Sequence, residues 1–434
     1  MSLRTKQAGD ARFRWNWVEP AVWTERMLTT LEKGVKGGRW FSLIDKVYSK
    51  RTLRNAFVKV RANKGAPGID HITVEKFEMD LDENLERLHT QIRDGSYRPQ
   101  AIRRQYIPKP GKRREKRPLG IPTVRDRVVQ TALRSVLEPI FENEFAPISF
   151  GFRPNRSCKD ALRSVQDYLN KGYTAVVDAD LQNYFDTISH SRLMEQIRQR
   201  ISDSRIMHLI EQFLRQDVMD GVAQWIPEAG SPQGAVISPL LSNIYLNELD
   251  HLMSDQGYKM IRYADDLVIL CKTIAEAGKA LRLLDGWVSD ASLTLHPTKT
   301  SIVDAVKDGF DFLGYRFYNH MRLVSDKSLR KLKDTLRSKT RRTRGDSMRT
   351  IVNDVNKILK GWFEYFKHSH PRRLRAIDQW LRVRLRNILR KHRKMKLCSW
   401  GGENHIRWPN SYFAELGLFF LVDARAKACQ SALR

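Results

Sequence analysis

The first part of the chain carries apolar residues at helical spacing, and the middle carries short runs of consecutive apolar residues. Helical spacing predicts four helices before the first such run, over residues 42–63, 74–93, 124–144 and 159–169. Between the second and third helices, segment 98–117 alternates apolar and polar residues around Pro108, Pro110 and Gly111, which predicts a β-hairpin. The β-branched run 174–178 predicts a buried strand, and a helix is expected over 192–201.

Two further apolar runs, 260–263 and 267–271, are separated only by Ala264, Asp265 and Asp266. So short a connection predicts a tight β-hairpin with carboxylates at its tip. Upstream, Pro239 suits the first turn of a helix, and from residue 325 onward helical spacing returns. The pattern therefore predicts an α+β fold in which helices back an antiparallel sheet.

Charge is concentrated in two segments of this pattern. The 434 residues carry a formal charge of +28 and are 41% hydrophobic, which excludes wholesale disorder. Segment 98–117 holds +8 and segment 325–400 holds +18, so the rest of the chain is nearly neutral. A single basic run is usually a solvated surface, but two concentrated patches of one sign predict a channel for a polyanion such as nucleic acid.

The second patch contains an amphipathic helix over residues 372–396. Its apolar stripe is Leu374, Ile377, Leu381, Leu385 and Ile388. Basic residues occupy much of the remainder and predict an outer face that contacts nucleic acid; they include Arg373, Arg382, Arg386 and Arg390. Nearby aromatic residues at helical spacing are expected in the core rather than against bases; they are Trp362, Tyr365, Phe366 and Trp380.

The cysteine pattern and the hydropathy exclude several classes of protein. The four cysteines stand far apart without a C-x-x-C pair, which argues against a zinc finger, a disulfide framework and a thioredoxin-type site. A reducing compartment, the cytoplasm, is expected. No stretch approaches 18 apolar residues, so no association with a membrane is expected.

Three carboxylates require a chemical explanation in so basic a chain. Asp180 directly follows the predicted strand, and Asp265 and Asp266 lie in the hairpin turn, so a sheet that pairs these strands would gather the three. Neighbouring carboxylates ionise together only with a counter-charge, which Mg²⁺ supplies when it binds oxygen ligands and substrate phosphate. For Asp178 and Asp186, a role as turn former or helix cap is an equal alternative.

Two metals held by such a trio provide the apparatus for phosphoryl transfer. Three carboxylates and a triphosphate carry about seven negative charges, and two Mg²⁺ with two basic side chains would leave about one. Lys109 and Arg117 of the predicted basic hairpin are candidates for those side chains. No G-x-x-x-x-G-K-[ST] loop is present, which excludes an ATPase-type phosphate cradle.

Several sequence blocks resemble the palm blocks of reverse transcriptases, in the same order: VVDADLQNYFDTI, GSPQGAVISPLLSNIYLNELD, YADD, LTLHPTKT and FDFLGYRF. Other blocks resemble the extra N-terminal block, the fingers and the thumb or maturase domain of the group II intron-encoded branch: KGAPGID, IPKP…RPLGIPTVRDRVVQ, SFGFRPNRSCKDAL and GWFEYF…LRVRLRNILRKH. The resemblance extends over nearly the whole chain. It is to the compact class that lacks an endonuclease domain, so second-strand cleavage is not expected.

The resemblance implies a right-hand polymerase and assigns roles to individual residues. Asp180, Asp265 and Asp266 match the catalytic positions that bind two Mg²⁺ ions, for which Mn²⁺ can substitute. The implied contacts to the incoming nucleotide are Lys109 and Arg117 for the triphosphate, Gln233 and Gly234 for the nascent base pair, Phe185 for the sugar and Lys299 as general acid for pyrophosphate. On their own, Gln233 would be a turn residue and Lys299 a surface lysine.

The resemblance also implies a division of the chain into domains. These are an N-terminal extension with fingers, a palm, a helical thumb or maturase domain, and a tail with a DNA-binding segment, over residues 1–172, 173–324, 325–398 and 399–434. The implied activity is RNA-directed DNA synthesis from template RNA, a DNA primer and dNTPs. The implied further partners are the host group II intron RNA, whose splicing and mobility the protein would promote, and target DNA.

Two alternatives to this function stay open. One is a splicing factor that acts mainly by binding RNA, although all three aspartates that such a factor could lose are present. The other is a reverse transcriptase recruited for host defence or DNA repair, which would use the same chemistry without an intron. An intron-like RNA flanking the gene would favour the mobile element, and its absence would favour recruitment.

Overall fold

A computed structural model of the chain describes residues 14–35, 37–109, 112–221, 223–395 and 402–431. The chain forms two compact units. The first comprises residues 1–109 and 113–302, and the second comprises residues 110–112 and 303–434. Within the described ranges, no helix combines the length and the apolar character needed to cross a bilayer.

Helices α1 to α5 lie in the N-terminal part of the first unit: Glu25–Lys33, Ile44–Tyr48, Lys50–Ala62, Val74–Met79 and Leu81–Asp94. Each of the two helices predicted here is broken once, at Ser49 and at Asp80. Ser49 has an extended ψ of 126° and Asp80 a ψ of 41°, so neither residue continues the helical path. Apolar residues keep the helical spacing on both sides of each break, and one face stays buried throughout. The sequence pattern therefore predicts one continuous helix where the structure has two.

Helix α6 (Val124–Glu142) is the central helix of this unit. Thr123 caps it by accepting a hydrogen bond from the Asp126 backbone N–H at 3.3 Å. Fourteen of its 19 residues are buried, so it is covered on all sides by other elements. One of the buried residues of α6 is Asp126. Its carboxylate accepts hydrogen bonds from the Tyr97 hydroxyl at 2.6 Å and from the Gln100 backbone N–H at 3.0 Å.

The central sheet of the first unit has strand order β6-β7-β3-β8. Its strands are β3 (Ala175–Asp180), β6 (Lys259–Tyr263), β7 (Asp266–Cys271) and β8 (Ser301–Asp304). Strand β3 lies antiparallel to β7, and β7 lies antiparallel to β6. The runs 175–177 and 267–271 are almost fully buried on both faces, as their unbroken apolar character predicts. The surrounding helices are α7 to α12: Cys158–Asn170, Tyr184–Thr187, His190–Arg198, Ser204–Leu214, Ser238–Asp255 and Ile274–Asp290.

A second sheet of this unit, the basic sheet, has strand order β2-β1-β4-β5. Strands β1 (Ile102–Lys109) and β2 (Lys112–Ile121) occupy the segment where the sequence predicts a hairpin. Strands β4 (Val218–Asp220) and β5 (Ala223–Trp225) extend it, with β4 parallel to β1 and β5 antiparallel to β4. The pattern of apolar residues did not predict β4 or β5, since strands of three residues carry almost no periodic signal.

In its described residues, the second unit holds a small antiparallel sheet and six helices. The sheet has order β11-β10-β9 and consists of β9 (Phe310–Phe312), β10 (Tyr315–Tyr318) and β11 (Met321–Val324). The helices are α13 to α18: Asp326–Lys339, Met348–Phe366, Pro371–His392, Gly402–Arg407, Asn410–Glu415 and Leu421–Ser431. The sheet clusters with these helices, whereas the sequence places residues up to 324 in the palm.

Helix α15 differs from the predicted amphipathic helix because part of its predicted outer face is covered. Arg386 and Arg390 are only 3% and 7% exposed, not part of a basic outer face. The Arg386 guanidinium donates to the Trp408 carbonyl oxygen at 3.0 Å and to Asn410 Oδ1 at 3.1 Å. The cause is α17 with the residues just before it, since this later segment packs over the side of α15 that the sequence pattern assigns to solvent.

The other two arginines predicted on that face also have protein partners. Arg373 forms an ion pair with Asp326 at 2.5 Å. Arg382 is half-buried, and its guanidinium lies over the Phe420 ring at 5.6 Å. Exposed basic side chains of this unit lie instead mainly on α13, on the turn that follows it and at the start of α15; they include Arg330, Lys331, Lys339, Arg341, Arg342, Arg372 and Arg375. Residues 396–401 and 432–434 of the predicted thumb and tail lie outside the described part.

Candidate active site

The acidic turn, residues 263–266, joins β6 to β7. Tyr263 pairs with Asp266 in the ladder, so Ala264 and Asp265 form a two-residue connection. Ala264 has a φ of +58°, the sign that such tight hairpin turns require. Asp266 is also the direct ladder partner of Asp180 on β3. The sheet therefore brings the three predicted aspartates to one end of two adjoining strands, as the sequence pattern predicts.

Residues 148–151 support the acidic turn from one side. The Arg262 backbone N–H donates to the Ile148 carbonyl oxygen at 3.0 Å, and the Phe150 N–H donates to the Arg262 carbonyl oxygen at 2.9 Å. Gly151 follows directly, and a Cβ added there would lie 2.9 Å from the carbonyl carbon of Tyr263 and closer still to the Ala264 nitrogen. The close approach of these two backbones therefore requires glycine at this position.

A fully buried guanidinium anchors the same turn. Arg262 is 0% exposed, and all five of its N–H donors have acceptors. Nε and Nη2 bind the Asp250 carboxylate, with Nε at 2.7 Å, and Nη2 also donates to Ser149 Oγ at 2.8 Å. Nη1 donates to the Ala264 carbonyl oxygen at 2.9 Å and to Asn243 Oδ1 at 3.0 Å. Burial disfavours the charged form, but the Asp250 carboxylate outweighs burial and raises the pKa of Arg262.

Segment 294–300 brings a lysine to the end of β3. The His296 backbone N–H donates to the Asp180 carbonyl oxygen at 2.8 Å, and the Gln182 N–H donates to the Thr294 carbonyl oxygen at 2.8 Å. These bonds hold the segment along the residues that follow the strand. As a result, Lys299 Nζ forms an ion pair with the Asp180 carboxylate. Lys299, the predicted general acid, and Asp180, a predicted metal ligand, are therefore neighbours in space although they are far apart in the sequence.

The electrostatics of Asp265 show why this site requires positive charge. Burial raises the pKa of Asp265 above its ordinary value, and the Asp180 carboxylate raises it further. The Arg117 guanidinium and the Lys299 ammonium act in the opposite sense. Two carboxylates and two cations therefore influence one another here, and the cations only partly offset the cost of ionising Asp265.

The oxygen ligands and the unfavourable ionisation of Asp265 fit a hard divalent cation, which would hold Asp265 in its charged form. The aspartates do not enclose an ion as they stand. Within the described ranges, no three Asp, Glu, His or Cys side chains form a group that could hold a metal. The Asp180 carboxylate faces the Lys299 ammonium, which is its counter-charge in this structure.

Phe185 and the loop 230–234 lie against each other. The Ser231 backbone N–H donates to the Phe185 carbonyl oxygen at 2.7 Å, and the Gly120 N–H donates to the Gln233 carbonyl oxygen at 2.7 Å. Gly234 has a φ of +112°, and a Cβ there would collide with the Gly120 carbonyl oxygen and lie 2.8 Å from Leu119. Hydrogen bonds to α8 and β2 thus hold this loop in place.

A cavity of about 580 Å³ opens beside the loop. It is bounded by Phe185, Asp186 and residues 226–233 on one side, and by residues of the basic sheet on the other. Phe185 is half-buried and packs against the core, while Tyr184 is fully buried and donates its hydroxyl proton to the Ser242 carbonyl oxygen at 2.7 Å. The two neighbours therefore differ, since only Phe185 lines open space.

The remaining predicted residues lie as follows. Arg117 is exposed on β2 and acts electrostatically on Asp265. Lys109 is the last residue of β1, and its side chain lies outside the described part of the structure. Asp178 lies within β3, and Asp186 is exposed on α8 beside Phe185. Neither caps a long helix.

Sequence reasoning missed the residues that position the acidic turn: Ser149, Gly151, Asn243, Asp250 and Arg262. Four of them, all except Arg262, lie inside the sequence blocks that resemble reverse transcriptases, but nothing in those blocks assigns them a catalytic or binding role. A signal was available for Arg262, because an arginine between Met260, Ile261 and the buried strand β7 must have acceptors for its charge.

Comparison with known proteins identifies two matching families. Residues 107–317 match the profile described as reverse transcriptase (RNA-dependent DNA polymerase). Residues 329–406 match the profile of the group II intron maturase-specific domain. Every predicted catalytic and nucleotide-binding residue lies within the first match.

Individual proteins are also similar to this chain. The chain is 37% identical over 311 residues to Protein YkfC of Escherichia coli strain K12, an alignment that covers 61% of this chain and 81% of YkfC. It is 36% identical over 215 residues to the group II intron-encoded protein LtrA of Lactococcus lactis subsp. cremoris, covering 49% of this chain and 35% of LtrA. Among solved structures, telomerase from Candida albicans has a TM-score of 0.43 at 12% identity, covering 70% of this chain and 62% of that chain.

Proposed function

This chain belongs to the family of group II intron-encoded reverse transcriptases and maturases, and we propose that Asp180, Asp265 and Asp266 are the catalytic carboxylates of its polymerase. It is an RNA-directed DNA polymerase with the maturase-specific domain of this family, and it binds template RNA and intron RNA. The family uses divalent metal ions. We propose in addition that these three aspartates hold the ions, that two ions bind, and that both are Mg²⁺.

One observation carries the assignment: Asp180 and Asp266 are ladder partners at the end of the sheet where the half-buried Asp265 carboxylate feels the charge of Asp180. This arrangement needs cations, and among the described side chains Arg117 and Lys299 act on Asp265 in that sense. Bound Mg²⁺ would lower the pKa of the primer 3′-hydroxyl and neutralise charge on the departing pyrophosphate. The aspartates hold the ions and take no part in bond making themselves.

The chain's other residues bind and orient the nucleotide in this proposal. The primer 3′-oxygen forms a bond to the α-phosphorus of a dNTP as the bond to pyrophosphate breaks. Arg117, and Lys109 with it, bind the triphosphate. Lys299 Nζ, which stands at Asp180, donates a proton to the leaving pyrophosphate.

Selection of deoxynucleotides falls to Phe185 and the loop beside it. Phe185 faces the cavity next to Gln233, so its ring occupies the space that a ribose 2′-hydroxyl would need. The Gln233 loop, which is bonded to Gly120, supports the nascent base pair. The same residues therefore exclude one sugar and align the other.

We further propose that the first unit carries the fingers (1–172) and most of the palm (173–324), and the second carries the maturase domain (325–398). Exposed basic side chains on α13 and at the start of α15 are the proposed contacts to intron RNA and target DNA. A reducing compartment such as the cytoplasm agrees with the three described cysteines, which are free thiols.

Primer extension on an RNA template tests the carboxylate assignment. Asp265→Asn should lower the extension rate by about a thousandfold, the effect of losing about 4 kcal/mol of transition-state stabilisation. Binding of RNA measured without nucleotides should stay unchanged. Asp285→Asn, at an exposed aspartate on α12, is the matched control and should extend normally. Extension by Asp265→Asn within about tenfold of the unaltered protein would overturn the assignment.

A further inference from the structure

Large apolar side chains stay exposed at one place on the basic sheet. Tyr106 and Ile107 of β1 are 41% and 43% exposed, and Trp225 and Ile226 at the end of β5 are 37% and 62% exposed. These four are a third of the twelve exposed large apolar residues in the described part of the chain. Because successive strand residues project from opposite faces, Ile107 does not share the face of Tyr106, and the exposed aromatic pair Tyr106 and Trp225 is what marks an interaction site.

The strand register places the aromatic residues on one face of the sheet. Ile102 pairs with Val218, and Val218 pairs with Trp225, so these three side chains share a face. Alternation along β1 adds Arg104 and Tyr106 to that face. The face therefore carries an arginine between two aromatic rings, in a row that crosses three strands.

Arg104 joins the two rings into one assembly, which we call the aromatic platform (Arg104, Tyr106 and Trp225). Its guanidinium lies 5.7 Å from the centre of the Tyr106 ring and 5.1 Å from the centre of the Trp225 ring. The Tyr106 hydroxyl donates to Asp220 Oδ2 at 2.6 Å, which fixes the ring against β4. A planar cation held between aromatic rings presents flat surfaces on which other flat groups can stack.

The platform continues into the cavity beside the nucleotide-binding candidates. Arg104 and Trp225 line the same 580 Å³ space as Phe185 and Gln233. Most other lining residues are apolar, including Ile102, Pro118, Val218, Ile226 and Pro232. The wall also carries the Asp186 and Glu228 carboxylates, which would repel a phosphate group, while its apolar part and the flat Arg104 cation suit a nucleobase. Basic residues for the phosphates are close in sequence, since segment 98–117 carries +8.

We propose that the aromatic platform binds unpaired bases of the template strand before they reach the polymerase site, with Trp225 and Arg104 as stacking surfaces. The proposal rests on the proposed function of the adjoining site. Stacking on aromatic rings is tolerant of sequence, because every base has a flat face. This tolerance is what a polymerase needs if it is to copy any template, and the positive charge of the sheet complements the backbone of a single strand.

The affinity for primer–template duplexes with different overhangs tests this inference. Dissociation constants are measured at fixed salt and without dNTPs, for a template with about eight unpaired nucleotides and for one with a single unpaired nucleotide. Trp225→Ala should weaken binding of the long overhang about tenfold, the scale of one lost base stack, and leave the short overhang unchanged. Trp225→Phe should restore most of the affinity. Phe41→Ala, at a residue 67% exposed outside the platform, should change neither.

Arg104→Lys gives a second, independent measurement. It keeps the charge and loses the planar surface, so it should also weaken binding of the long overhang selectively. Equal losses on both overhangs, or no loss with Trp225→Ala, would overturn the inference. A loss confined to intron RNA would instead assign the platform to that ligand and would equally reject the template role. Because binding is measured without chemistry, these results are independent of whether Asp265→Asn abolishes extension.

Discussion

Removing the Arg262 guanidinium should separate the stability of the palm from the positioning of its acidic turn. In Arg262→Met, the Asp250 carboxylate stays in a position that is 0% exposed and loses its only counter-charge in the described structure. Breaking a buried pair by removing one partner costs about 3–5 kcal/mol. At about 2 °C per kcal/mol for a unit of this size, the melting temperature should fall by about 6–10 °C.

A double variant restores stability without restoring the anchor. Arg262→Met with Asp250→Leu replaces the buried pair by apolar side chains of similar volume, which is often neutral or stabilising. Most of the lost melting temperature should return. The Ala264 carbonyl oxygen, however, still lacks the donor that lies 2.9 Å away in the unaltered protein. The turn that carries Asp265 should then move, and kcat for primer extension should fall at least about tenfold while template affinity is unchanged.

The control is an exposed ion pair of the same type. Arg316 and Asp311 are 3.1 Å apart on the small sheet, with side chains 35% and 48% exposed. Arg316→Met with Asp311→Leu should change melting by little, because exposed pairs contribute about 0–1 kcal/mol. If the Arg262 double variant melts normally and extends primers at the unaltered rate, the guanidinium does not position the turn and the reasoning fails.

Three further predictions concern other residues. Phe185→Ala should raise the relative kcat/KM for ribonucleotides at least about tenfold in single-nucleotide incorporation, whereas equal losses for both sugars with a lower melting temperature would make it a packing residue. Gly234→Ala should lower nucleotide incorporation with little change in RNA affinity, because its φ of +112° and the nearby Gly120 carbonyl oxygen exclude a Cβ. Arg386→Gln should lower the melting temperature without changing the salt dependence of RNA binding, while Arg375→Gln should reduce the slope of log K against log salt by about one.

The sequence predicted three of the four strands of the central sheet, because these three contain continuous apolar runs, whereas β8 does not and was not predicted. Runs 175–177 and 267–271 are buried on both faces, so their composition alone identifies them. The tight connection between 263 and 266 then brought Asp180 and Asp266 into register. The local sequence was therefore enough to predict strands that are buried on both faces and joined by a short turn.

Other features depend on residues far apart in sequence, and no local pattern encodes them. Arg386 has the spacing of an outer-face residue, yet the segment around Trp408 covers it. The contacts of Arg262 come from three separate segments of the chain. The short strand β4 exists because β1 offers it a ladder partner, and β5 pairs in turn with β4. In each case, the structure depends on tertiary packing, and local propensity alone does not determine it.

The contact between Gly151 and the acidic turn has a consequence for how this enzyme tolerates mutation. A library of all single substitutions, sorted by cDNA yield, should rank position 151 with Asp265, although Gly151 has no side chain. Any Cβ there presses on the peptide between Tyr263 and Ala264 and displaces the carboxylate that follows. Engineers who diversify residues near the catalytic centre for new templates should therefore keep this glycine fixed and place their variation on the sheet around Trp225.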